Sequence, residues 1–193
     1  MSTRVVIAED EAIIRLDLKE ILEEEGYEVV AETGRGDEAV TLVREHKPDL
    51  AILDIRMPGL DGIAAAREIA ADRTSAVLIL TAFSQRDLIE QARDAGALAY
   101  LVKPFSRHEL VPSIEVALGR HREMLALARE VEGLEQQIET RRVLDRAKGL
   151  LMDESGMKEH DAFTFIQRTA MRERKTMREI ATQVIEQGLR PTA

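Results

Sequence analysis

Short, continuous apolar runs alternate with stretches in which apolar residues recur every three or four positions, and this alternation organises the first part of the chain. The runs are Arg4–Ala8, Tyr27–Ala31, Leu50–Leu53, Val77–Leu80 and Ala99–Val102. Their length and near-continuous apolar character, broken by Glu28 in the second run, predict strands of a sheet covered on both faces. Between the first two, Ile13, Ile14, Leu18, Ile21 and Leu22 mark one side of a helix that Gly26 stops. The same period predicts helices over Asp37–Glu45, stopped near Pro48, and over Leu88–Ala95, stopped by Gly96. Gly59 and Gly62 bracket a loop before an Ala-rich helix over Ile63–Ala71. Another helix starts near Arg107. Strands and helices in strict alternation predict an α/β fold, a parallel sheet with helices on both faces.

Beyond that point the strand signal disappears. Met124, Leu127, Val131, Leu134 and Ile138 follow spacings of 3, 4, 3 and 4, which is a coiled-coil seam of about two heptads. Such a stripe serves either self-association or packing on its own chain. After Arg141 the pattern stays helical. One helix runs through Val143, Leu144, Ala147, Leu150 and Leu151 to Gly156. A second starts near Glu159 and carries Phe163, Ile166 and Ala170. A third covers Thr176–Glu186 and ends at Gly188. The expected organisation is therefore an α/β domain over 1–120, a helical coiled-coil linker over 121–140, and a small three-helix domain over 141–193.

Composition narrows the chemistry. With four Phe, two Tyr and no Trp, the cores must be built from Ala, Val, Ile and Leu, which suits α/β layers and helix bundles. The lack of cysteine excludes disulfides, thiolate zinc sites and thiol catalysis. No apolar stretch reaches the roughly 18 residues that span a bilayer, so a cytoplasmic protein with no membrane partner is expected. The net charge of −9 is uneven: residues 141–193 carry +3 and the rest −12. A basic module on an acidic body fits a polyanionic partner, although a solvated helix surface reads the same way.

The polar residues that end the apolar runs form one chemical set. Asp10, Asp54, Thr81 and Lys103 each follow a predicted strand directly, and Glu9 precedes Asp10. In a doubly wound parallel sheet those ends share the edge where ligands bind. Glu9, Asp10 and Asp54 crowded together are unfavourable unless a cation sits among them, and Mg2+ accepts carboxylate, water and phosphate oxygens. Asp54 can then act as nucleophile toward an in-line phosphoryl group, with Lys103 as a second point charge and the Thr81 hydroxyl as a hydrogen-bond donor.

The segments Ala8–Glu11, Leu53–Gly59, Leu80–Ala82 and Tyr100–Phe105 resemble the signature blocks of response-regulator receiver domains. The resemblance implies a flavodoxin-like five-stranded sheet of order 2-1-3-4-5, with Asp54 as phospho-acceptor. It implies that Glu9, Asp10, Asp54 and the backbone carbonyl of Arg56 hold Mg2+. Thr81 and Lys103 would contact the phosphoryl group, Tyr100 would be the switch aromatic, and Lys103–Pro104 would be cis. A sensor histidine kinase is the implied phosphodonor. Such a protein is a regulator, not an enzyme, apart from its own phosphorylation and dephosphorylation at Asp54. Aspartyl-nucleophile phosphatases share this chemistry but place an acid two residues after the nucleophile, where this chain has Arg56.

Farther on, Arg142–Met152, Ala162-Phe163, Ile166–Met171 and Ile180-Ala181 resemble the ANTAR domain of bacterial transcription antiterminators. That resemblance implies binding to paired RNA hairpins in mRNA leaders, with dimerisation on phosphorylation bringing two modules together. Arg168, Arg172 and Lys175, at i, i+4 and i+7, are the candidate phosphate contacts, extended by Arg174 and Arg178, with Lys148 and Gly149 expected nearby. Phe163 and Phe165, two apart, face different sides of a helix, which puts one in the core and the other exposed unless both fill the small core. A DNA-binding output or a phospho-dependent protein-partner module is the alternative, although Glu179 and Glu186 suit the last helix poorly to DNA.

Overall fold

The computed structural model describes residues 2–82 and 86–191. They divide into two compact units, Met1–Ala126 and Leu127–Ala193. In the first, β1 (Arg4–Ala8), β2 (Glu28–Thr33), β3 (Leu50–Asp54), β4 (Ala76–Thr81) and β5 (Ala99–Val102) form one parallel sheet of order β2-β1-β3-β4-β5. The expected flavodoxin-like topology is the observed one.

Side-chain alternation along the strands sorts the core into two layers. Val6 and Ala8 face one way, toward Ala39, Val40 and Val43 of α2 (Gly36–His46), Ala65, Ala66 and Ile69 of α3 (Gly62–Asp72) and Ala92 of α4 (Arg86–Asp94). Val5 and Ile7 face the other way, toward Leu18 and Leu22 of α1 (Ala12–Glu24) and Leu110, Ile114 and Ala117 of α5 (Arg107–Ser155). All positions of β3 and β4 are buried, which is why those segments read as unbroken apolar runs.

The element ends differ from the sequence pattern by one to three residues. The second strand extends past Ala31 to Thr33, because Glu32 and Thr33 pair with Ile7 and Ala8 despite being polar. The backbone ladder, not the side chain, decides where that strand stops. Several helices end in left-handed residues without glycine: Lys47 closes α2 and Arg73 closes α3.

A long-range hydrogen bond ties the two ends of the first unit. Tyr27 Oη donates to a Glu115 carboxylate oxygen on α5 at 3.1 Å. Partial burial and that negative neighbour push the phenol up to about 12. A raised phenol pKa holds its proton longer in the folded state, so this contribution to stability is complete below pH 10 and fades as pH rises toward 12. Tyrosinate absorbance should therefore show a step near pH 12 that Tyr27→Phe removes. A Tyr27 step at the ordinary value of 10 would show that the contact does not persist in solution.

The second unit contains the later part of α5 with α6 (Glu159–Glu173) and α7 (Met177–Glu186). The long helix and the first of the three expected short helices are one element of 49 residues, because Arg141 sits on its exposed face and does not interrupt it. Ala147, Leu151, Ala162, Ile166, Ala170, Ile180, Ala181 and Val184 form a small core of their own. Arg174, left-handed at φ 55°, ends α6, and two residues later Thr176 starts α7 with a reciprocal capping box to Glu179. No helix among the described residues is long and apolar enough to cross a membrane.

Candidate functional site

The carboxyl ends of β1, β3, β4 and β5 bring together the polar residues that the sequence scatters over about a hundred positions. Glu9 follows β1 and is fully buried; Asp10 next to it is exposed. Asp54, the last residue of β3, is 5% exposed. Thr81 ends β4 and is buried. Lys103 follows β5, its amide donating to the Thr81 carbonyl at 2.7 Å. The Lys103–Pro104 peptide is cis, as the sequence pattern implies.

Electrostatics dominates the pocket. Lys103 Nζ lies 2.8 Å from Asp54 Oδ1 and 2.5 Å from Glu9 Oε2. Asp54 Oδ2 accepts a hydrogen bond from the Arg56 amide at 2.7 Å, so the loop after β3 holds the carboxylate from behind. Burial pushes the Glu9 carboxyl up; Lys103 opposes this without reversing it, and the Asp54 charge adds to it. Burial pulls the Lys103 ammonium down, but hydrogen bonds and charge from Asp54 and Glu9 outweigh it, so the group stays protonated above its ordinary range.

One lysine serves two carboxylates, and a third, Asp10, closes the cluster: the three acids offer oxygens within 4.8 Å of one another. Glu9 Oε2 is buried and accepts no hydrogen bond of good geometry, although the ammonium is close. A buried carboxylate oxygen beside a shared ammonium and two further acids fits an added metal ligand. The hard, all-oxygen donor set suits Mg2+. Tyr100 lies one strand over on β5, half-buried against the α2–α3–α4 layer.

Two features here were not apparent from sequence. Arg15 on α1 donates to the Glu9 carbonyl at 2.5 Å and so braces the β1 exit from outside. Gly62 begins α3 directly beneath Asp54: a Cβ added there would lie 1.9 Å from the Asp54 carbonyl oxygen. The sequence shows this glycine only as a loop bracket, because a close backbone approach leaves no local signature.

The candidate nucleic-acid residues are less unified. Lys148 is not beside the Arg168–Lys175 strip. Its ammonium pairs with Asp145 at 2.9 Å and with Glu159 at 2.8 Å, at the start of α6. Arg172 lies 13 residues on, about 20 Å along the helix. The expectation of proximity fails because Lys148 is spent on holding α6 against α5. Lys175 lies beyond α6 and pairs with Glu173 at 3.0 Å, and Arg172 lies 3.7 Å from the same acid. Arg168 and Arg174 are exposed with no ion pair among the described residues. Gly149 is half-buried, and a Cβ there would meet nothing within 4 Å, so packing does not require glycine at that position. Phe163 is 40% exposed and Phe165 packs against the small core, which is the division expected from their spacing.

Comparison with known proteins agrees with this geometry. Residues 5–115 match the response regulator receiver domain, and residues 132–185 match the ANTAR domain. Over 95% of its length the chain is 59% identical to the transcriptional regulatory protein PdtaR of Mycobacterium tuberculosis, of which it covers 89%. It is 39% identical to the chemotaxis protein CheY of Bacillus subtilis over 62% of this chain and all of that one. Among solved structures, the receiver domain of the response regulator NarL from Mycobacterium tuberculosis superposes with a TM-score of 0.59 at 31% identity, covering 61% of this chain and 97% of that one. Receiver domains bind Mg2+ at an acidic pocket, and Glu9, Asp10 and Asp54 form such a pocket at the expected sheet edge. The chain belongs to the response regulators, with an N-terminal receiver domain joined to a C-terminal ANTAR domain.

Proposed function

We propose that this protein is a cytoplasmic, phosphorylation-controlled transcription antiterminator: a sensor histidine kinase phosphorylates Asp54, and the C-terminal domain then binds RNA hairpins in mRNA leaders. The observation that supports it most is the triad of Glu9, Asp54 and Lys103, with one ammonium within 2.8 Å of two buried carboxylates at the sheet edge. Mg2+ held by Glu9, Asp10, Asp54 and the Arg56 carbonyl would supply charge neutralisation on the transferring phosphoryl oxygens.

The chain's own residues do the rest. The Arg56 amide anchors Asp54 Oδ2, which leaves Oδ1 as the attacking oxygen. Attack forms the P–O bond of an acyl phosphate and breaks the donor's P–N bond, and the kinase histidine, protonated on its other ring nitrogen beforehand, leaves as the neutral imidazole. Lys103 then exchanges its contact with Asp54 Oδ1 for the new phosphoryl oxygens. Thr81 and Tyr100, on adjacent strands β4 and β5, carry the change toward the surface. The sensor kinase and the RNA rest on the two domain matches.

The seam is the proposed dimer contact. Leu127, Val131, Leu134 and Ile138 are 62%, 48%, 52% and 56% exposed, so the stripe remains uncovered among the described residues. A second copy of the same helix covers such a stripe with matching spacing. Two RNA-binding domains in one dimer would engage paired hairpins with a gain from effective concentration. Leu127→Lys with Leu134→Lys should leave the chain monomeric by light scattering under conditions where phosphorylated wild type dimerises. A dimer that survives both changes would place its contact elsewhere.

The reading as a whole is tested by crosslinking the protein to RNA in cells and sequencing what is recovered. Leader hairpins should be enriched, and more so when the kinase is active. Recovery of DNA alone, or of no nucleic acid, would overturn it.

A further inference from the structure

The cations of the C-terminal domain differ in how much of their charge is already used. Among the described residues, Lys148, Arg172, Lys175 and Arg190 all pair with acids of the same domain. Arg142, Arg146 and Arg178 are exposed and make no ion pair or hydrogen bond among the described residues. A cation already neutralised by a neighbouring carboxylate displaces few of the counterions condensed on a polyanion, so it contributes little to binding one.

Three of the unspent arginines converge; Arg168 and Arg174, also exposed and without an ion pair among the described residues, line neither hollow of this surface. Arg142 and Arg146 are one turn apart on α5, about 6 Å along the axis, and share a face. They line a groove of about 220 Å3 whose opposite wall is Thr182 and Ile185 of α7. Thr182 also lines the adjoining hollow at the start of α7, with Arg178 and with Lys175, whose charge is taken up by Glu173. The rim acids are Glu139 and Glu186 on the first groove and Glu179 on the second. Glu179 is occupied by the capping box, accepting from the Thr176 amide at 2.7 Å and from its hydroxyl at 2.8 Å. The hollow beside α6 is weaker by the same measure: it offers Arg168, an Arg172 shared with Glu173, and Asp161 in its lining.

We propose that the α5–α7 groove, through Arg142, Arg146 and Arg178, is the phosphate-binding track of the RNA-binding domain, with Lys148 and Lys175 having structural roles; this rests on the reading that the domain binds RNA. The groove has a hydroxyl and a strip of apolar wall but no aromatic ring, so it holds the sugar–phosphate backbone and leaves base recognition to other residues. Loss of the track weakens binding evenly across RNA sequences and flattens the salt dependence.

The test uses the full-length chain and, as probe, the RNA recovered with it by crosslinking in cells, labelled and titrated at several salt concentrations. Arg142→Gln with Arg146→Gln should bind roughly tenfold or more weakly at about 0.1 M salt, with the slope of log affinity against log salt reduced by about one per arginine. Arg142→Lys with Arg146→Lys should recover most of that slope, which a folding defect would not allow. Lys175→Gln should leave the slope near wild type. If the glutamine pair binds with wild-type affinity and slope, the track is elsewhere although RNA binding stands. If wild type captures no RNA, both the groove and the RNA reading fall together.

Discussion

Asp54→Asn should take up no phosphoryl group from a small phosphodonor in the presence of Mg2+, whereas wild type gains one per chain by intact-mass measurement. The amide is isosteric with the carboxylate, keeps an oxygen for the Arg56 amide and lacks the charge that makes Oδ1 a nucleophile. The loss should be complete, because Glu9 is fully buried with its carboxylate held by Lys103 and the Glu11 amide, and Asp10 is exposed. The same change leaves one carboxylate fewer for Mg2+, so metal affinity measured by calorimetry should fall as well. Equal labelling of the asparagine variant would place the acceptor elsewhere and remove the basis for phosphorylation control.

Gly62→Ala should be strongly damaging to the receiver. The new Cβ would sit 1.9 Å from the Asp54 carbonyl oxygen and 3.0 Å from Ile55 Cα, both backbone atoms that cannot rotate aside. Gly62 also donates its amide to the Ile55 carbonyl at 2.9 Å, so the helix cannot retreat without losing that bond. Inserted methyl groups in close-packed sites typically cost 1–3 kcal/mol, and this one is expected near about 3 kcal/mol by urea unfolding. Because the clash is with the nucleophile's own residue, phosphoryl uptake should slow in whatever fraction remains folded. Gly119→Ala is the contrast: nothing lies within 4 Å of its added Cβ, and a helix-interior position should gain roughly 0.5–1 kcal/mol. A Gly62→Ala protein as stable as wild type would show that the β3–α3 approach is looser than described.

The contrast between Gly59 and Gly62 shows why local sequence was insufficient here. Both punctuate the loop after β3 and look alike as turn residues. Gly59 has φ +81°, a conformational need that any turn pattern suggests. Gly62 has no such backbone angle; its need is for space beside a strand eight residues earlier, which only the packed sheet creates. The same holds for Lys148. Its position in a helical pattern suggested a free cation, and only the approach of Glu159 from α6 shows that its charge is already used.

The receiver was legible almost entirely from the chain itself. Five short, largely apolar runs, four of them followed by acid, acid, hydroxyl and lysine, predict a parallel sheet and its reactive edge, because strand burial follows local hydrophobicity. The two helical layers and the helical character of the C-terminal part follow from the same periodicities, whereas the sheet order was implied by the receiver resemblance. What the tertiary structure alone decided is which charges remain available. Charge is a pairwise property, and its partners come from elsewhere in the sequence: Lys103 is shared by residues 94 and 49 positions earlier, while Arg142 and Arg146 stay unpaired and face α7. A linear pattern can therefore place a charged side chain on a helix, but the fold determines whether its charge is free to act.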